Sequence, residues 1–513
     1  MNRIAEAMHE AEVHDGERLH ISGLLVTFVS GLPQLAFPLV AAVYGVRQSK
    51  NPALIPIVIA AVLIISLFFR WLAWLRFRYH VGDHDIRVEK GILNRTARSI
   101  PYERIQDVSI EQKPLARMMG LGEVKFETGG GDGDDAKLSF VTLDEANRLR
   151  TLIRSRKAGI VVVGDDPAVA ESQDIAPIFA MDGKRVLIFG LYSFSLIIFA
   201  VLGGVAQQFD FLLPYDLWDL KHWAGLAEAR GVSVNKINGV GWTVQLILAV
   251  IALMSLILIG FATGVARTLL REHGFRLDQT SKGFRRRRGL LTLTDVVMPT
   301  HRVQAAVVQT GPFRKRRGWH SLKFVSLAQD SKEESNYVAA PFATLGEVWR
   351  IAQAATIQAP GGDEGLQRGA ARYWISQIIL IAPPIFIAMA ALMVFADAPF
   401  LRTTLLLSLL VLVGMIFWFD WRKYRFGLDG HQLYLQRGWW RQQMTIAPQV
   451  KVQSVEIAQG PLTRRLDLAS LKFGIAGGTL EMIAVPLSTA RAIRDAVLQK
   501  VAAVDYSAIN QSH

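Results

Sequence analysis

Long apolar stretches alternate with longer polar segments along this chain. Six stretches are long enough to cross a bilayer, whose hydrocarbon core needs about 20 residues of helix. They run Ile21–Val46, Ala53–Leu75, Val186–Gln207, Val240–Val265, Trp374–Ala396 and Thr403–Phe419. They come as three pairs, so the pattern predicts three transmembrane hairpins. The first stretch is interpreted as an uncleaved anchor rather than a signal peptide, because a second span follows at once.

One polar segment follows each hairpin, and this order predicts the domain boundaries. The predicted succession is an N-terminal segment 1–20, hairpin 21–75, polar segment 76–160, linker 161–183, hairpin 184–266 with an extracytoplasmic loop 209–239, polar segment 267–358, linker 359–373, hairpin 374–420, polar segment 421–505 and tail 506–513.

The three polar segments are copies of one unit. When the sequence is aligned on Gly91, Gly289 and Gly438, the same residue types recur without a gap over 36 positions. The shared positions include a basic residue with a Gln two residues later, and a Phe that is expected to lie in the hydrophobic core. These are Arg104, Gln106 and Phe126; Arg302, Gln304 and Phe324; and Lys451, Gln453 and Phe473. A fixed spacing found three times indicates an internal repeat.

The sequence pattern of each unit predicts short strands followed by one helix. Residues alternate between apolar and polar around the shared glycine, which is typical of a hairpin turn. Stretches of helical period then close each unit, at Thr142–Arg156, Leu345–Ala355 and Ser488–Val501. This pattern predicts a small β-barrel or bent sandwich capped by a C-terminal helix. The predicted fold class is a multi-domain membrane protein with six transmembrane α-helices in three hairpins and three such domains.

The motif within each unit is similar to that of a known family. The first unit carries it as Gly91-Ile92-Leu93, Ile100-Pro101, Arg104-Ile105-Gln106 and Gly120-Leu121-Gly122. It resembles the bacterial pleckstrin-homology (PH)-like domain of the second type. The whole chain resembles the larger member of a paired bacterial membrane-protein family. That resemblance implies a seven-stranded barrel with a closing helix, a cytoplasmic-membrane location and a smaller single-domain partner, and no known enzymatic activity.

The later units depart from the motif at specific positions. The third unit has Lys451 in place of the Arg and Asp467 in place of a Gly. The second unit has Leu291 in a changed turn and carries the run Arg285–Arg288. These departures suggest that the later units have diverged in role.

Composition agrees with a chain that passes between bilayer and water. Of 513 residues, 51% are hydrophobic and 20% charged, and 57 Lys and Arg against 44 Asp and Glu give a net charge of +13. Only 6 of the 57 basic residues lie in the connections inside the hairpins, namely Arg47, Lys50, Lys221, Arg230, Lys236 and Arg402. Basic residues favour the cytoplasmic side. We therefore expect a multi-pass inner-membrane protein with both termini and all three units in the cytoplasm.

Catalytic chemistry has little support in the sequence. Cysteine is absent, which excludes a disulfide scaffold and any thiolate site. No established catalytic motif occurs, and the histidines show no metal-ligand spacing. The acidic stretch around Asp132-Gly133-Asp134 admits a metal or sugar-nucleotide site, but Gly and Asp are also turn residues. We expect no enzyme activity, no cofactor and no metal.

Two basic clusters of the second unit are the best candidate sites. They are Arg285, Arg286, Arg287 and Arg288, and Arg314, Lys315, Arg316 and Arg317. Clusters of this size near a membrane span attract anionic headgroups. The alternative is that these charges only fix the topology. Arg286 occupies a position that is apolar and inward in the other units. Replacing Arg285–Arg288 by Gln is expected to remove charge without removing core.

The recurring basic and Gln residues allow two interpretations. They either hydrogen-bond the barrel's own backbone or contact a partner shared by the three units. The basic residues of the chain lie beside the spans without interleaved aromatic residues on one face, which does not favour nucleic-acid binding.

The sequence therefore predicts a non-enzymatic membrane scaffold. Its expected ligands are anionic lipids and a protein partner, which is either a smaller single-domain PH-like membrane protein or a second copy of the chain. The alternative is a component or regulator of a membrane transport or export system. A charged pair facing inward among the spans, or a continuous cavity between them, would favour that alternative.

Overall fold

A computed structural model describes residues 17–48, 54–92, 94–128, 136–157, 176–195, 204, 242–280, 283–326, 336–361, 366–395 and 399–503. The chain forms two compact units. Unit 1 comprises Met1–Asp174, Ala180–Arg276 and Arg286–Val297, and unit 2 comprises Ile175–Phe179, Leu277–Arg285 and Met298–His513. The second repeat is thus divided between the units, which are described separately.

The helices of the described residues differ widely in length. They are α1 Ser22–Gln48, α2 Ile55–Arg76, α3 Pro114–Met118, α4 Leu143–Lys157, α5 Gly183–Leu191, α6 Trp242–Glu272, α7 Pro312–Arg316, α8 Leu345–Ala354, α9 Arg372–Phe395, α10 Pro399–Lys423, α11 Pro461–Arg465 and α12 Leu487–Ala502.

The strands of the described residues are mostly four to nine residues long. They are β1 Arg78–Val81, β2 Asp85–Lys90, β3 Thr96–Pro101, β4 Ile105–Gln112, β5 Leu121–Thr128, β6 Ala136–Thr142, β7 Phe179–Ala180, β8 Arg276–Thr280, β9 Gly283–Arg288, β10 Leu293–Pro299, β11 Val303–Thr310, β12 Trp319–Ser326, β13 Asn336–Thr344, β14 Gln367–Arg368, β15 Arg425–Leu428, β16 Gln432–Arg437, β17 Gln442–Pro448, β18 Val452–Ala458, β19 Leu468–Ile475 and β20 Gly478–Pro486.

The first repeat, in unit 1, folds as two antiparallel three-stranded layers around one core. Strands β1, β2 and β3 form one layer, and β4, β5 and β6 form the other. The core is built from apolar residues of both layers and of α4, which contributes Ala146, Leu149 and Ile153. The predicted strands with a closing helix are therefore confirmed for this repeat.

The third repeat, in unit 2, has the same architecture. Strands β15 to β17 and β18 to β20 enclose a core that α12 closes with Ala490, Ile493 and Val497. Phe473 is completely buried in this core, as Phe126 and Phe324 are in theirs. Phe126 lies opposite Val108, Phe324 opposite Ala306 and Phe473 opposite Val455. These pairs are equivalent positions, so the repeat alignment is confirmed.

Neighbouring repeats share sheets, which the sequence did not predict. In unit 1, β10 of the second repeat pairs antiparallel with β4 of the first, with Leu293 opposite Gln112 and Asp295 opposite Ile110. In unit 2, β17 of the third repeat pairs antiparallel with β11 of the second, from Ala306↔Ile446 to Thr310↔Gln442. We call these two strand pairs junction 1 and junction 2. Each joins the second layer of one repeat to the first layer of the next.

Apolar helices occur where most of the spans were predicted. Among the described residues, Ile55–Arg76 and Ala249–Glu272 are long and apolar enough to cross a membrane. Two other apolar helical segments, Ser22–Leu35 and Arg372–Ala388, are shorter. Of the predicted third span, residues 186–195 and 204 are described, and α5 forms its beginning. The total of six spans remains a prediction, and loop 209–239 and the tail 506–513 lie outside the described residues.

The paired helices of unit 1 pack through small and polar residues. Arg70 of α2 donates from Nη1 to the backbone carbonyl of Thr27 in α1 at 2.7 Å. Between α5 and α6, a Cβ added to Gly264 would lie 2.1 Å from the carbonyl oxygen of Ser193. Small residues let apolar helices approach closely in membranes, and the helices of each pair pack directly against one another.

Candidate functional site

The arginine run of β9 does not form one exposed surface. Arg286 is only 8% exposed. The Arg288 guanidinium lies 2.8 Å from Glu272 Oε1, and their side chains are 12% and 6% exposed. The expectation that these four residues carry charge without core is therefore wrong for Arg286 and Arg288, because both are packed inside the fold.

Arg287 contributes to a second ion-pair group. Its Nε lies 3.6 Å from the Asp295 carboxylate, and Arg150 Nη1 lies 3.2 Å from the same oxygen. Arg150 also donates from Nε to the backbone carbonyl of Val108 at 3.1 Å. Asp295 belongs to β10 and Arg150 to α4, so this group holds junction 1 together. Much of the charge in the arginine run is thus neutralised by ion pairs within the molecule.

The second basic cluster is mostly exposed. It lies on α7, which begins at Pro312, a residue that suits the first helical position because its missing N–H would have no partner there. Lys315, Arg316 and Arg317 are exposed, and Phe313 beside them is 63% exposed. Arg314 is half-buried, and its guanidinium carbon lies 5.9 Å from the centre of the Phe342 ring.

Two tryptophans lie beside this cluster at junction 2. Trp439 and Trp440 occupy the turn between β16 and β17 and are 38% and 53% exposed. Trp440 meets Phe313 edge to face at 6.2 Å, and Lys315 Nζ donates to Gln442 Oε1 at 2.7 Å. We define the basic–aromatic surface as Phe313, Lys315, Arg316, Arg317, Trp439 and Trp440.

The basic–aromatic surface lies at the end of an apolar helix. Trp439 stacks on Phe419 of α10, with ring centres 5.8 Å apart. One turn away, the Arg422 guanidinium lies 5.0 Å from the centre of the Trp418 ring. Tryptophan and basic residues at the end of an apolar helix are typical of the membrane–water interface. The surface is therefore placed at the depth of lipid headgroups if α10 crosses the bilayer.

His320 adds no positive charge to this surface at neutral pH. Burial lowers the pKa of His320, and the nearby Lys315 charge lowers it further, although a backbone hydrogen bond with Gly318 opposes both effects. The ring is therefore neutral at pH 7, and the charge of the surface comes from Lys315, Arg316 and Arg317.

At the equivalent place of junction 1, the hairpin turn carries Leu290 and Leu291 where junction 2 has the two tryptophans. The amides of Gly289 and Leu290 donate to the carbonyls of His273 and Leu270 at the end of α6, each at 2.9 Å. Arg117 of α3 donates to the Leu290 carbonyl at 2.6 Å, and Met118 is 87% exposed. At each junction, the hairpin turn therefore meets both a short helix of the preceding repeat and the end of an apolar helix.

The recurring basic and Gln residues have different environments in the three repeats. Arg104 is exposed and Arg302 is buried. Lys451 Nζ donates to the His301 carbonyl at 3.1 Å, which links equivalent turns of the second and third repeats. Buried Gln304 donates to the Arg302 carbonyl at 3.3 Å.

The remaining Gln residues do not repeat that contact in the described side chains. Gln453 is exposed, and Gln106 lies in β4 with its side chain outside the described set. Gln304 thus bonds the backbone of its own repeat, whereas Lys451 bonds the backbone of the preceding repeat. The two interpretations of these recurring residues both remain predictions.

No metal site is evident in the part of the chain that the structure describes, where no group of three acidic, His or Cys residues is suitably placed. The acidic stretch at Asp132 lies outside the described residues. A small cleft at the base of the third repeat is lined by Tyr373, Asp420 and Tyr424 among others. Burial raises the pKa of Tyr424, whose hydroxyl accepts a hydrogen bond from the Ile483 amide, so the phenol is neutral and has a structural role.

Sequence reasoning identified α7 but missed its aromatic partners. The signal was present, because Trp439 and Trp440 follow the shared Gly438 directly, where a hairpin turn was predicted. A hairpin turn lies at the surface, so large aromatic residues there are not buried in the core. Their exposure indicates another role.

Comparison with known proteins gives consistent matches to one family. The family model described as bacterial PH domain matches residues 31–157, 232–356 and 376–501. The UPF0699 transmembrane protein YdbT of Bacillus subtilis (strain 168) is 23% identical over 287 residues, which cover 53% of this chain and 55% of that protein. The UPF0699 transmembrane protein YdbS of the same organism is 28% identical over 136 residues, which cover 22% of this chain and 84% of that protein. The chain thus matches about half the length of YdbT, and the three predicted repeats are confirmed.

Proposed function

We propose that this chain, which belongs to the bacterial PH domain family, is a non-enzymatic scaffold that holds three PH-like domains at the membrane surface and binds anionic lipid headgroups. It is a membrane protein with internal repeats. In the proposal, six spans in three hairpins anchor it in the inner membrane, and both termini and all three domains are cytoplasmic. A protein partner docks on the displayed domains.

One observation carries the lipid-binding proposal. The basic–aromatic surface exposes three cationic side chains and three aromatic rings, and Trp439 within it stacks on the end of α10. Basic residues near an anionic leaflet gain about 1 kcal/mol each. Exposed charges act within about 8 Å at physiological salt, and the contact with α10 supports an approach that close.

The orientation rests on charge. The connections inside the hairpins hold 6 of the 57 basic residues. Helix α10 also ends in Arg422 and Lys423, directly before the third repeat. Basic residues concentrate on the cytoplasmic side of bacterial inner-membrane proteins, so the repeats face the cytoplasm in the proposal.

The test compares two pairs of substitutions in the full-length chain. Lys315→Gln/Arg316→Gln removes charge from the basic–aromatic surface. Arg464→Gln/Arg465→Gln removes the same charge from the equivalent exposed positions of α11, which has no tryptophan turn beside it. Each protein is purified in mild detergent and titrated with phosphatidylglycerol and, separately, with phosphatidylcholine, at low and high salt.

The expected result is selective, salt-sensitive binding of phosphatidylglycerol that is lost in the first variant and retained in the second. Thermal stabilisation by lipid reports binding, because a ligand that binds only the folded state raises the unfolding midpoint. Equal binding of both lipids, or equal loss in the two variants, would contradict the proposed site.

A further inference from the structure

The two junctions are built in the same register. Junction 1 places Gln112 opposite Leu293, and junction 2 places Thr310 opposite Gln442. In the repeat alignment, Gln112 is equivalent to Thr310, and Leu293 is equivalent to Gln442. A register shifted by one residue would turn every side chain to the other face of the sheet. The identical pairing therefore reflects one docking mode that the chain uses twice.

Two strands that are equivalent to the junction strands have no such neighbour among the described residues. Among the described residues, β18 pairs only with β19, and β3 pairs only with β2. In the other repeats, the equivalents of β18 are β4 and β11, and the equivalents of β3 are β10 and β17. Within the part of the chain that the structure describes, β18 and β3 are therefore edge strands.

Exposure of equivalent residues shows what the missing neighbour would cover. Gln304 and Val307 in β11 are 4% and 5% exposed. Their equivalents in β18, Gln453 and Glu456, are exposed. On the complementary strand, Ile446 in β17 is completely buried, whereas the equivalent Ser99 in β3 is exposed.

We propose that β18 of one copy pairs with β3 of a second copy in the register of the internal junctions, so that the chains associate head to tail. This register places Glu456 opposite Arg98 and Ala458 opposite Thr96. Opposite charges that face each other across antiparallel strands stabilise the pair. The proposal requires no lipid binding and can fail or hold independently of it.

The composition of β18 supports an edge that accepts a neighbour. Exposed edge strands are usually protected by charged side chains, especially Lys, or by Pro. Residues 452–459, Val-Gln-Ser-Val-Glu-Ile-Ala-Gln, contain no Lys or Pro, and their one charged residue, Glu456, is the residue that the proposed register places opposite Arg98. A second copy is the favoured occupant because this chain carries both complementary edges and the charge pair that matches them. Such a head-to-tail contact is heterologous, and it gives a ring or an open row of chains.

The native chain has no cysteine, which allows a direct test by disulfide formation. Two full-length populations are made, one with Ala458→Cys and one with Thr96→Cys and a mass tag. They are co-expressed in the same membrane and oxidised. Opposed residues of antiparallel strands have Cβ atoms about 4.5–5.5 Å apart, so a tagged–untagged heterodimer is expected. The matched control replaces Ala458→Cys by Thr479→Cys, an exposed residue of β20 at the other edge of the same sheet.

Charge reversal provides a second measurement that does not depend on the cysteine variants. Glu456→Arg opposes Arg98 with a like charge and is expected to reduce association of the full-length protein in mild detergent, as measured by light scattering. Combining Glu456→Arg with Arg98→Glu is expected to restore it.

Heterodimer yield no greater than in the Thr479→Cys control would overturn the proposal, as would failure of the double reversal to restore association. A disulfide adduct of Ala458→Cys with a different PH-like protein in place of the second copy would also overturn it, in favour of that partner.

Discussion

One glycine per repeat is fixed by the backbone of the hairpin turn. Gly91, Gly289 and Gly438 have φ values of 116°, 115° and 87°. An added Cβ would lie 1.9, 1.8 and 2.1 Å from the carbonyl oxygen three residues later. No other residue fits that space, which explains why these glycines aligned in the sequence. After the short helix, Gly120, Gly318 and Asp467 likewise share positive φ, and Asp is one of the few other residues that accept this conformation.

The turn glycine leads to a prediction about stability. Gly438→Ala should destabilise the third repeat by about 1–3 kcal/mol, because the new Cβ forces a strained backbone against the Arg441 carbonyl. Gly478→Ala is the matched control, since an added Cβ there meets no atom within 4 Å. Thermal unfolding of the full-length protein in detergent measures both. Equal midpoints for the two variants would show that the turn tolerates a side chain.

The buried pair of Arg288 and Glu272 leads to a second prediction at this scale. Arg288→Gln leaves the Glu272 carboxylate, whose side chain is 6% exposed, without its closest cation. We expect a loss of about 3 kcal/mol, at the low end for a broken buried pair, because Arg271 remains 3.4 Å from the same carboxylate. Replacing both residues by apolar ones, as Arg288→Met with Glu272→Leu, should recover most of the stability. A midpoint for Arg288→Gln equal to that of the native protein would mean that the pair is open to water.

At the scale of elements, the sequence predicted strands and closing helices but not which strands meet. Alternation along a strand defines its two faces and says little about its two edges. A signal for the junctions was nevertheless present. Residues 303–308 in β11 read Val-Gln-Ala-Ala-Val-Val and are all buried, whereas the equivalent residues of β18 read Val-Gln-Ser-Val-Glu-Ile and include three exposed polar residues. Near-continuous apolar strands are typical of the centre of a covered sheet.

The candidate site was predictable to the same limited degree. The charge of Arg314–Arg317 and of Arg285–Arg288 is plain in the sequence, and it favoured both clusters equally. Their difference arises from long-range partners, since Glu272 and Asp295 neutralise arginines of β9 while α7 is left at the surface. The number of charged residues in a sequence does not show which of them form ion pairs inside the folded protein.

Hydrogen exchange tests the junctions at this scale. Residues Ala306–Thr310 of β11 lie between β12 and β17 in a seven-stranded sheet, whereas β18 pairs with β19 alone among the described strands. At low protein concentration in detergent, we expect slow exchange in Ala306–Thr310 and faster exchange in the equivalent residues 455–458 of β18, because exposed backbone bonds open more easily. Mass spectrometry of peptides from the two strands measures this. Equal protection of both strands in the monomer would contradict an open edge at β18.

At the scale of the whole molecule, three copies of one domain follow three apolar segments in a chain of 513 residues. Each repeat begins within a few residues of an apolar helix, since β1, β8 and β15 start directly after α2, α6 and α10. A domain attached so closely has little freedom to move away from the bilayer. Placing every repeat on the same side requires an even number of spans between consecutive repeats.

Topology is therefore the decisive prediction for the molecule as a whole. Reporter fusions after Lys157, Ile357 and His513 are expected to report the cytoplasm, because 51 of the 57 basic residues lie outside the connections within the hairpins. A reporter inserted after Gly225, in the loop 209–239, should report the opposite side. If Lys157 and Ile357 reported opposite sides, the number of spans between them would be odd, and either the third or the fourth predicted span would lie outside the bilayer. The first and second repeats would then face different compartments, and neither the shared sheet of junction 1 nor a common membrane surface for the three repeats could exist.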